Sequence, residues 1–282
     1  MADGLLTTLT GLIEHGAVAW SKVSTTQRKA LRPLLDGGIL VRERSGSGER
    51  LVVKNPAVVQ RFADNRYPNG LAEATEAAQQ SGRLSTTQGV QYFRDAKRGG
   101  QQADLLLFRG RPGTTIQCNG IDLPVGQLTS TAGVAAAILS ASQNLSMCGT
   151  LAVVENQTAF LRAEALGVDF DIALYGRGRL SGRVIEWLAS SAMEAVDVVH
   201  CPDYDLVGLN EYSRLHAQCG GRVRLHRPHD LERLLQRYGK PSLYWENHLL
   251  LASLEDAPPA ARSVATLLTR YGCGLEQEIL IT

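Results

Sequence analysis

The stretch HCPDYDLVGL, residues 200–209, places Asp203 and Asp205 two positions apart, directly after the apolar run AVDVV and just before Gly208. Earlier in the chain, Glu155 closes a second apolar run in TLAVVEN. Carboxylates at the ends of strand-like segments have two uses. They stop a strand as turn-forming polar residues, or they gather at the carboxyl edge of a sheet and hold a cation. Oxygen-only donors of this kind suit Mg²⁺ or Mn²⁺, which keep several waters and bind through a few carboxylates plus substrate phosphate. Clustered anions also need opposite charge, because three together do not all ionise unaided. A lone D-x-D is a weak sign of metal binding, so its weight depends on the elements that carry it.

Those elements follow a clear rhythm from Gly149 onward. TLAVVEN, FDIALYG, AVDVVHCPD and GRVRLHR read as strands; QTAFLRAEALG, SGRVIEWLASSA, DLVGLNEYSRLHAQCG and HDLERLLQRYG read as helices. The alternation predicts an α/β domain whose parallel sheet is covered on both faces. Strands one and three of such a unit can lie side by side. Glu155 ends the first and Asp203 and Asp205 end the third, so all three carboxylates are expected at one sheet edge, where α/β folds bind ligands. The loop GRGRLSGR brings Arg177, Arg179 and Arg183 to a helix N-terminus. It reads either as a phosphate cradle or as a tight turn with solvated arginines. His226 and His229 in HRPH lack further ligands at zinc spacing. Cys201 has no paired base in view and reads as a buried thiol, and Trp187 and Leu188 are expected in the core.

Residues 5–13 carry Leu5, Leu9, Leu12 and Ile13 at helical spacing, closed by Gly16. STTQRKALRPLLDGG reads as a second helix, capped by Ser24 or Thr25, striped by Leu31, Leu34 and Leu35, interrupted by Pro33 and ended by Gly37. ILVRERSGSGERLVVKN has the form of a hairpin. Helices followed by a basic hairpin read as a winged helix with Arg42, Arg44, Arg50 and Lys54 on the wing. Such modules grip DNA or serve as dimer or protein docking units. ADNRYPNGLAEATEAAQQSGRLS reads as a linker or exposed helix. GVQYFRDAKRGG sets Arg94, Lys97 and Arg98 on one helix face, as a solvated helix end or a phosphate-contacting patch. ADLLLFRGRPGTTIQCNGIDLP reads as short strands with turns, and TAGVAAAILSAS as a small-residue helix. The expected division is a winged-helix-like domain over 1–66, a linker and mixed α+β region over 67–148, and the α/β domain over 149–282.

The chain has 282 residues, 44% hydrophobic and 20% charged, ordinary for a folded protein with one large or two modest domains. No apolar run is long enough to span a bilayer, and the N-terminus lacks the basic and apolar regions of a signal peptide. Five scattered cysteines without a C-x-x-C pair argue against a disulfide framework and fit a reducing cytoplasm. Residues 1–110 hold 15 Lys/Arg against 10 Asp/Glu, while residues 111–282 hold 14 against 18. A basic front and an acidic back suit a DNA-gripping module joined to a cation-binding one, although a difference of this size also arises by chance.

VVEN and PDYDLVG resemble the two halves of a TOPRIM domain, the metal-binding module of topoisomerases, primases and several nucleases. VENQTAFL, LYGRGRLSG, PDYDLVGLNEYSRL and the terminal GLEQEIL resemble the JetD/MksG nuclease subunit of the plasmid-restricting SMC complexes called Wadjet or MksBEFG. That family joins an N-terminal winged-helix-like arm to a C-terminal TOPRIM domain, as does the topoisomerase VI A subunit. The similarity covers residues 149–282, extends to YFRDAKRGG, and is only architectural before that. It implies that Glu155, Asp203 and Asp205 are catalytic metal ligands and that Glu276 and Glu278 lie near the site. It further implies an SMC-like ATPase with kleisin partners, double-stranded plasmid DNA as substrate, and a homodimer that cuts two strands. Topoisomerase VI-type enzymes cleave with a winged-helix tyrosine, yet no tyrosine precedes Tyr67 here. Hydrolysis by cation-activated water is therefore the expected chemistry, with Glu155 also able to serve as general base or acid. The rival readings are a non-catalytic winged-helix DNA-binding or regulatory protein with a TOPRIM scaffold, and RNA cleavage or primer synthesis.

Overall fold

The computed structural model describes residues 3–46, 48–80, 84–96 and 103–281. The chain forms two compact units, residues 1–102 and 103–282. This division falls inside the region 67–148 expected as a separate middle part, and neither 66 nor 148 separates compact units.

In the first unit, α1 (Gly4–His15) begins at Asp3, whose carboxylate accepts the Leu5 and Leu6 N–H groups, and closes at Gly16 with φ 70°. After β1 (Ala17–Ala19), α2 (Thr25–Asp36) opens with a reciprocal capping box between Ser24 and Gln27 and contains Pro33. Strands β2 (Leu40–Ser45) and β3 (Gly48–Val53) form the expected hairpin in register Leu40↔Val53 to Ser45↔Gly48, and β1 adds to β3. Three more helices follow: α3 (Pro56–Arg66), α4 (Gly70–Gln79) and α5 (Thr86–Phe93). The segment expected as a linker or exposed helix is thus helical, but packed rather than exposed. Tyr67, Ala74 and Ala77 are buried in the same core as Leu9, Leu31 and Leu51. The helix α5 ends earlier than its polar continuation implied, because Phe93 turns into that core and Arg94 takes a left-handed φ of 50°. Arg94 therefore does not continue the helix face; Lys97 and Arg98 lie outside the described residues.

The second unit is mixed α/β. Its strands are β4 (Ala103–Gly110), β5 (Ile116–Cys118), β6 (Ile121–Leu123), β7 (Ala135–Ser140), β8 (Leu145–Ser146), β9 (Gly149–Val154), β10 (Ile172–Tyr175), β11 (Val196–Cys201) and β12 (Val223–Leu225). Its helices are α6 (Val125–Ala132), α7 (Gln157–Leu161), α8 (Gly182–Ala189), α9 (Leu206–Cys219), α10 (Leu231–Tyr238), α11 (Pro241–Trp245) and α12 (Pro259–Tyr271). The main sheet runs β12-β11-β9-β10-β4-β7. The first four strands are parallel, as the alternation predicted, but β4 and β7 add antiparallel, so the sheet is mixed rather than purely parallel. The small-residue helix expected over TAGVAAAILSAS is in fact the turn after α6 and strand β7. Gly133 ends α6 with φ 85°, and six residues of β7 pair with β4, so strand pairing overrides alanine's helical preference. A small sheet, β6-β5-β8, lies apart from the main one.

Both faces of the parallel part are covered, which is why its central strand β9 and its neighbour β10 are almost wholly apolar, while Asp197 of β11 and Arg224 of β12 are exposed. Leu151, Val153 and Val198 face one core with Leu209 and Leu215 of α9; Ala152, Val154 and Cys201 face another with Phe160 of α7. Trp187 and Leu188 are buried as expected, and the indole donates to the Leu145 carbonyl at 2.8 Å. Among the described residues, no helix is long and apolar enough to cross a membrane.

Candidate functional site

Strands β9 and β11 are parallel neighbours paired from Val196↔Gly149 to Cys201↔Val154. The ladder continues one step further, with the Glu155 N–H donating to the Cys201 carbonyl at 3.1 Å. This pairing brings the carboxyl ends of the first and third α/β strands together. The Glu155 carboxylate accepts the Asp203 backbone N–H through Oε2 at 3.2 Å. Asp203 accepts the Gln277 N–H through Oδ1 at 2.8 Å. Asp205 is the N-cap of α9, accepting the Gly208 N–H through Oδ1 at 2.8 Å. Gly208 lets α9 start this close, since a Cβ there would overlap the Asp203 carbonyl. Asp205 thus fills the helix-capping role, and Asp203 is tied to a segment far away in sequence.

That segment is the C-terminal turn. Leu275 pairs with Tyr204 and Gly274 with Lys240 as isolated bridges, which lays residues 276–278 across the strand ends. Gln277 is fully buried and works as a clasp: its Nε2 donates to the Cys201 carbonyl at 2.8 Å and its Oε1 accepts the Asn156 N–H at 3.3 Å. Glu278 accepts from Asn156 Nδ2 at 2.6 Å through Oε1, while its Oε2 is buried and unpartnered. Glu276 is exposed and paired with Lys240 at 2.7 Å. Of the two terminal glutamates, Glu278 is turned into the cluster and Glu276 is spent on a surface ion pair.

The electrostatics are unbalanced. Burial, aided by the charge of Asp203 and then by Asp205 and Glu211, pushes the Glu155 carboxyl up to about 7 against the pull of the Asp203 N–H. Burial likewise lifts Asp203 to about 6, with Asp205, Glu278 and Glu276 adding to it and the Gln277 N–H opposing. Asp205 is also raised by burial, opposed by the N–H groups of Gly208 and Val207. Among the described residues, no Lys, Arg or His forms an ion pair with any of the three. The contrast with Glu211 is sharp. That side chain, missed by sequence reasoning, is 4% exposed and is held by Arg214 at 2.6 Å and Arg179 at 3.4 Å, while it accepts the Leu180 N–H at 2.9 Å.

Glu211 and Arg214 grip both polar ends of Leu180, so they fasten the loop 176–181. The loop in turn abuts Glu155: the Gly178 N–H points to the Glu155 carbonyl at 3.4 Å, and Arg177 adopts a φ of 54°. Arg177 is exposed, while Arg179 is committed to Glu211 and Arg183 to Asp104. His226 lies under the site, bonded to the Tyr204 hydroxyl at 2.9 Å, with burial pushing it down to about 4. Cys201 is a buried thiol pushed up to about 12 by burial, as its sequence context predicted.

No set of three His, Cys, Asp or Glu side chains among the described residues is arranged to hold a metal ion. One oxygen each of Glu155, Asp203 and Asp205 is tied to a backbone N–H instead of converging on a point. The donor chemistry nevertheless fits a hard cation. The cluster offers carboxylate oxygen only, lacks a positive partner, and leaves Glu278 Oε2 buried without a donor. Mg²⁺ commonly binds through one or two carboxylates and completes its shell with water and phosphate oxygens, a demand that Glu155 and Asp203 meet.

Of the other basic candidates, Arg42 pairs with Glu49 and its guanidinium lies 4.4 Å from the Trp20 ring centre, and Lys54 pairs with Glu43 at 2.5 Å. Arg44 and Arg50 are exposed on the same hairpin with no ion pair among the described residues. The chain matches no protein-family model, and no curated protein matches it.

Proposed function

We propose that this chain is a divalent-metal-dependent DNA endonuclease, the cleaving subunit of an SMC-type plasmid-restricting complex of the Wadjet/MksBEFG kind. The observation that carries the reading is the pair Glu155 and Asp203: two partly buried carboxyls at adjacent strand ends, both raised, with no basic side chain paired to them among the described residues. The resemblance of VVEN and PDYDLVG to a TOPRIM domain falls on the same two residues, and that of GLEQEIL to the JetD/MksG subunit on Glu276 and Glu278. The six-stranded sheet with a parallel half supports a TOPRIM domain, and helices beside a three-stranded antiparallel sheet support a winged-helix arm.

In this reading Glu155 and Asp203 would hold Mg²⁺ or Mn²⁺, flanked by Asp205 and Glu278. Held there, such an ion would supply charge neutralisation at the scissile phosphate and a more acidic water. As a ligand Glu155 would be held ionised by the bound ion, so its raised value belongs to the metal-free site. Arg177 extends from a loop fastened at Leu180 and offers a guanidinium to a non-bridging phosphate oxygen. Gln277 keeps Asp203 and the Cys201 carbonyl in register. A covalent tyrosine cycle has little support, because Tyr67 is buried and bonded to Asp3 at 3.0 Å. The full assembly would comprise a homodimer, an SMC-like ATPase and kleisin partners acting on double-stranded plasmid DNA in the cytoplasm.

The second reading, a non-catalytic DNA-binding or regulatory protein, draws on the lack of three convergent ligands among the described residues. One experiment separates the two. Plasmid incubated with this chain and its SMC partners is expected to be nicked or linearised with Mg²⁺ or Mn²⁺ and left intact with EDTA. No cutting in that full mixture with any divalent metal would sink the enzymatic reading.

A further inference from the structure

Beyond the carboxylate cluster, the second unit holds a cavity of about 730 Å³ between the loop that follows β12, helix α10 and the C-terminal turn. Three arginines line it, Arg227, Arg233 and Arg237, against one aspartate, Asp230. Asp230 is occupied by Arg233 at 2.6 Å, while Arg227 donates to the Ser263 hydroxyl at 3.1 Å and lies in the field of Glu232. Arg237 has no carboxylate partner among the described residues, and its guanidinium lies 5.2 Å from the ring centre of Tyr238. Tyr238 is itself 46% exposed, so an aromatic face stands open beside the positive charge. A second cavity of about 540 Å³ shares Tyr238 and Ile279 with the first and is walled by Lys240, Glu276 and Glu278. The two cavities thus adjoin along Tyr238 and Ile279, and the second borders Glu278, whose charge is felt at Asp203.

We propose that this arginine-lined cavity binds the phosphodiester backbone of the nucleic-acid strand whose phosphate reaches the carboxylates, with Tyr238 stacking on a base where that strand is unpaired. The inference rests on the nuclease reading and deepens it by naming a substrate contact away from the reacting atoms. Guanidinium groups match phosphate oxygens with paired donors, and an exposed ring beside them is the usual platform for single-stranded nucleic acid. An acidic cluster that must admit a polyanion also needs compensating charge along the approach, and this cavity supplies it. Inorganic phosphate and mononucleotides present the same group. Three arginines along one cavity with an exposed ring beside them favour a polymer, because a single phosphate would leave part of that charge and the ring unused.

The test measures binding without chemistry. The full chain in EDTA is titrated with a labelled oligonucleotide at several salt concentrations, alongside the double variant Arg233→Gln with Arg237→Gln. The variant is expected to bind about tenfold more weakly, and its log–log salt slope to shrink by about 0.7–0.9 per lost phosphate contact. Millimolar inorganic phosphate or mononucleotide is expected to leave the wild-type complex largely intact. Unchanged affinity and slope in the variant would overturn the proposal, and so would a mononucleotide that displaces the oligonucleotide at micromolar concentration, which would mark a small-phosphate site. If the double variant melts below the wild type, Arg237→Gln alone, which breaks no ion pair, is read by the same criteria. Glu155→Gln separates the two levels of the argument. It should still bind the oligonucleotide in EDTA; cleavage by it at the wild-type rate with Mg²⁺ would remove the hydrolytic reading while the cavity result stands.

Discussion

The hairpin of the first unit and the strand ends of the second treat charge in opposite ways. On the hairpin, Arg42 meets Glu49 and Lys54 meets Glu43 across neighbouring strands, with all four side chains about half exposed. Such pairs are solvated, screened by salt and worth about 0–1 kcal/mol each. At the strand ends, Glu155 and Asp203 are withdrawn from water, close to one another, and supported only by backbone N–H groups. Glu211 shows that the second unit can neutralise a buried acid when structure alone is at stake, since it receives two arginines. The difference teaches that the charge at Glu155 and Asp203 is left uncompensated at a cost in stability. Perturbed groups of this kind concentrate where a protein binds or reacts.

The sharpest way to break the comparison is to remove one charge and keep its hydrogen bond. Asp203→Asn retains an acceptor for the Gln277 N–H and deletes a member of the acidic cluster. Cleavage is expected to fall by about 10²–10³, the usual cost of losing one preorganised charge-stabilising contact. The melting temperature should hold or rise, because repulsion with Glu155 and Asp205 is relieved. Asp203→Ala should lose the same activity and additionally drop in stability by about 1 kcal/mol, since Gln277 then loses its partner. An asparagine variant that cuts plasmid at the wild-type rate would return Asp203 to the role of a strand-stopping turn residue.

The placement of Glu155 and Asp203 was legible because it needs only two local facts. Apolar runs end at both residues, and odd-numbered strands of a parallel α/β unit can be neighbours, as β9 and β11 are. Asp205 was harder, since one D-x-D pattern serves both a cation and a helix cap, and here the cap is made. Gln277 was out of reach of any local pattern. Its contacts to Asp203, Cys201 and Asn156 join positions far apart in the chain, and its uncharged type carries no chemical signal. Glu211 was hidden for a related reason, being one polar residue on an ordinary amphipathic helix until Leu180 and Arg179 fold onto it. The strand β7 and the burial of helix α4 were missed for a different reason. Both are alanine-rich, and alanine states a helical preference without saying what the segment will pair with or bury.

Glu211→Gln sharpens the contrast from the compensated side. Removing the charge leaves Arg214 facing a neutral partner and loosens the loop that carries Arg177. The expected cost is about 2 kcal/mol, between the values for exposed and buried pairs, with cleavage reduced roughly tenfold. Unchanged melting and unchanged cutting together would show that the loop is held by other contacts.

The uncompensated side has its own signature in pH. Glu155 and Asp203 have folded-state values raised above the ordinary carboxylate range, so the fold favours their protonated forms. Their contribution to stability is complete below about pH 4 and is lost as pH rises through about 6 and then about 7. In EDTA this loss should appear as a melting temperature several degrees lower at pH 8 than at pH 5. Glu155→Gln should flatten the difference between melts at pH 5 and pH 8, and Mg²⁺ should raise the wild-type melt most at the upper end. A wild type and a Glu155→Gln variant with parallel pH profiles would mean that Glu155 titrates like a surface acid.

The smallest effect is expected on the hairpin, and it depends on which arginines are chosen. Arg42 is tied to Glu49 and to the Trp20 ring, and Lys54 to Glu43, so each must leave a partner before touching a phosphate. Arg44 and Arg50 are exposed on the same strands without an ion pair among the described residues. If this hairpin grips DNA, Arg44→Gln with Arg50→Gln should weaken binding severalfold and flatten the salt dependence by about 0.9 log–log units per lost contact. Arg42→Gln should do less to binding and more to the hairpin itself, because Glu49 would lose its neutralising partner. Anisotropy titrations of duplex DNA at several salt concentrations measure both variants. Equal and negligible slopes for the two would identify the hairpin as a protein-docking surface, and the affinity for DNA would then have to come from the arginine-lined cavity of the second unit.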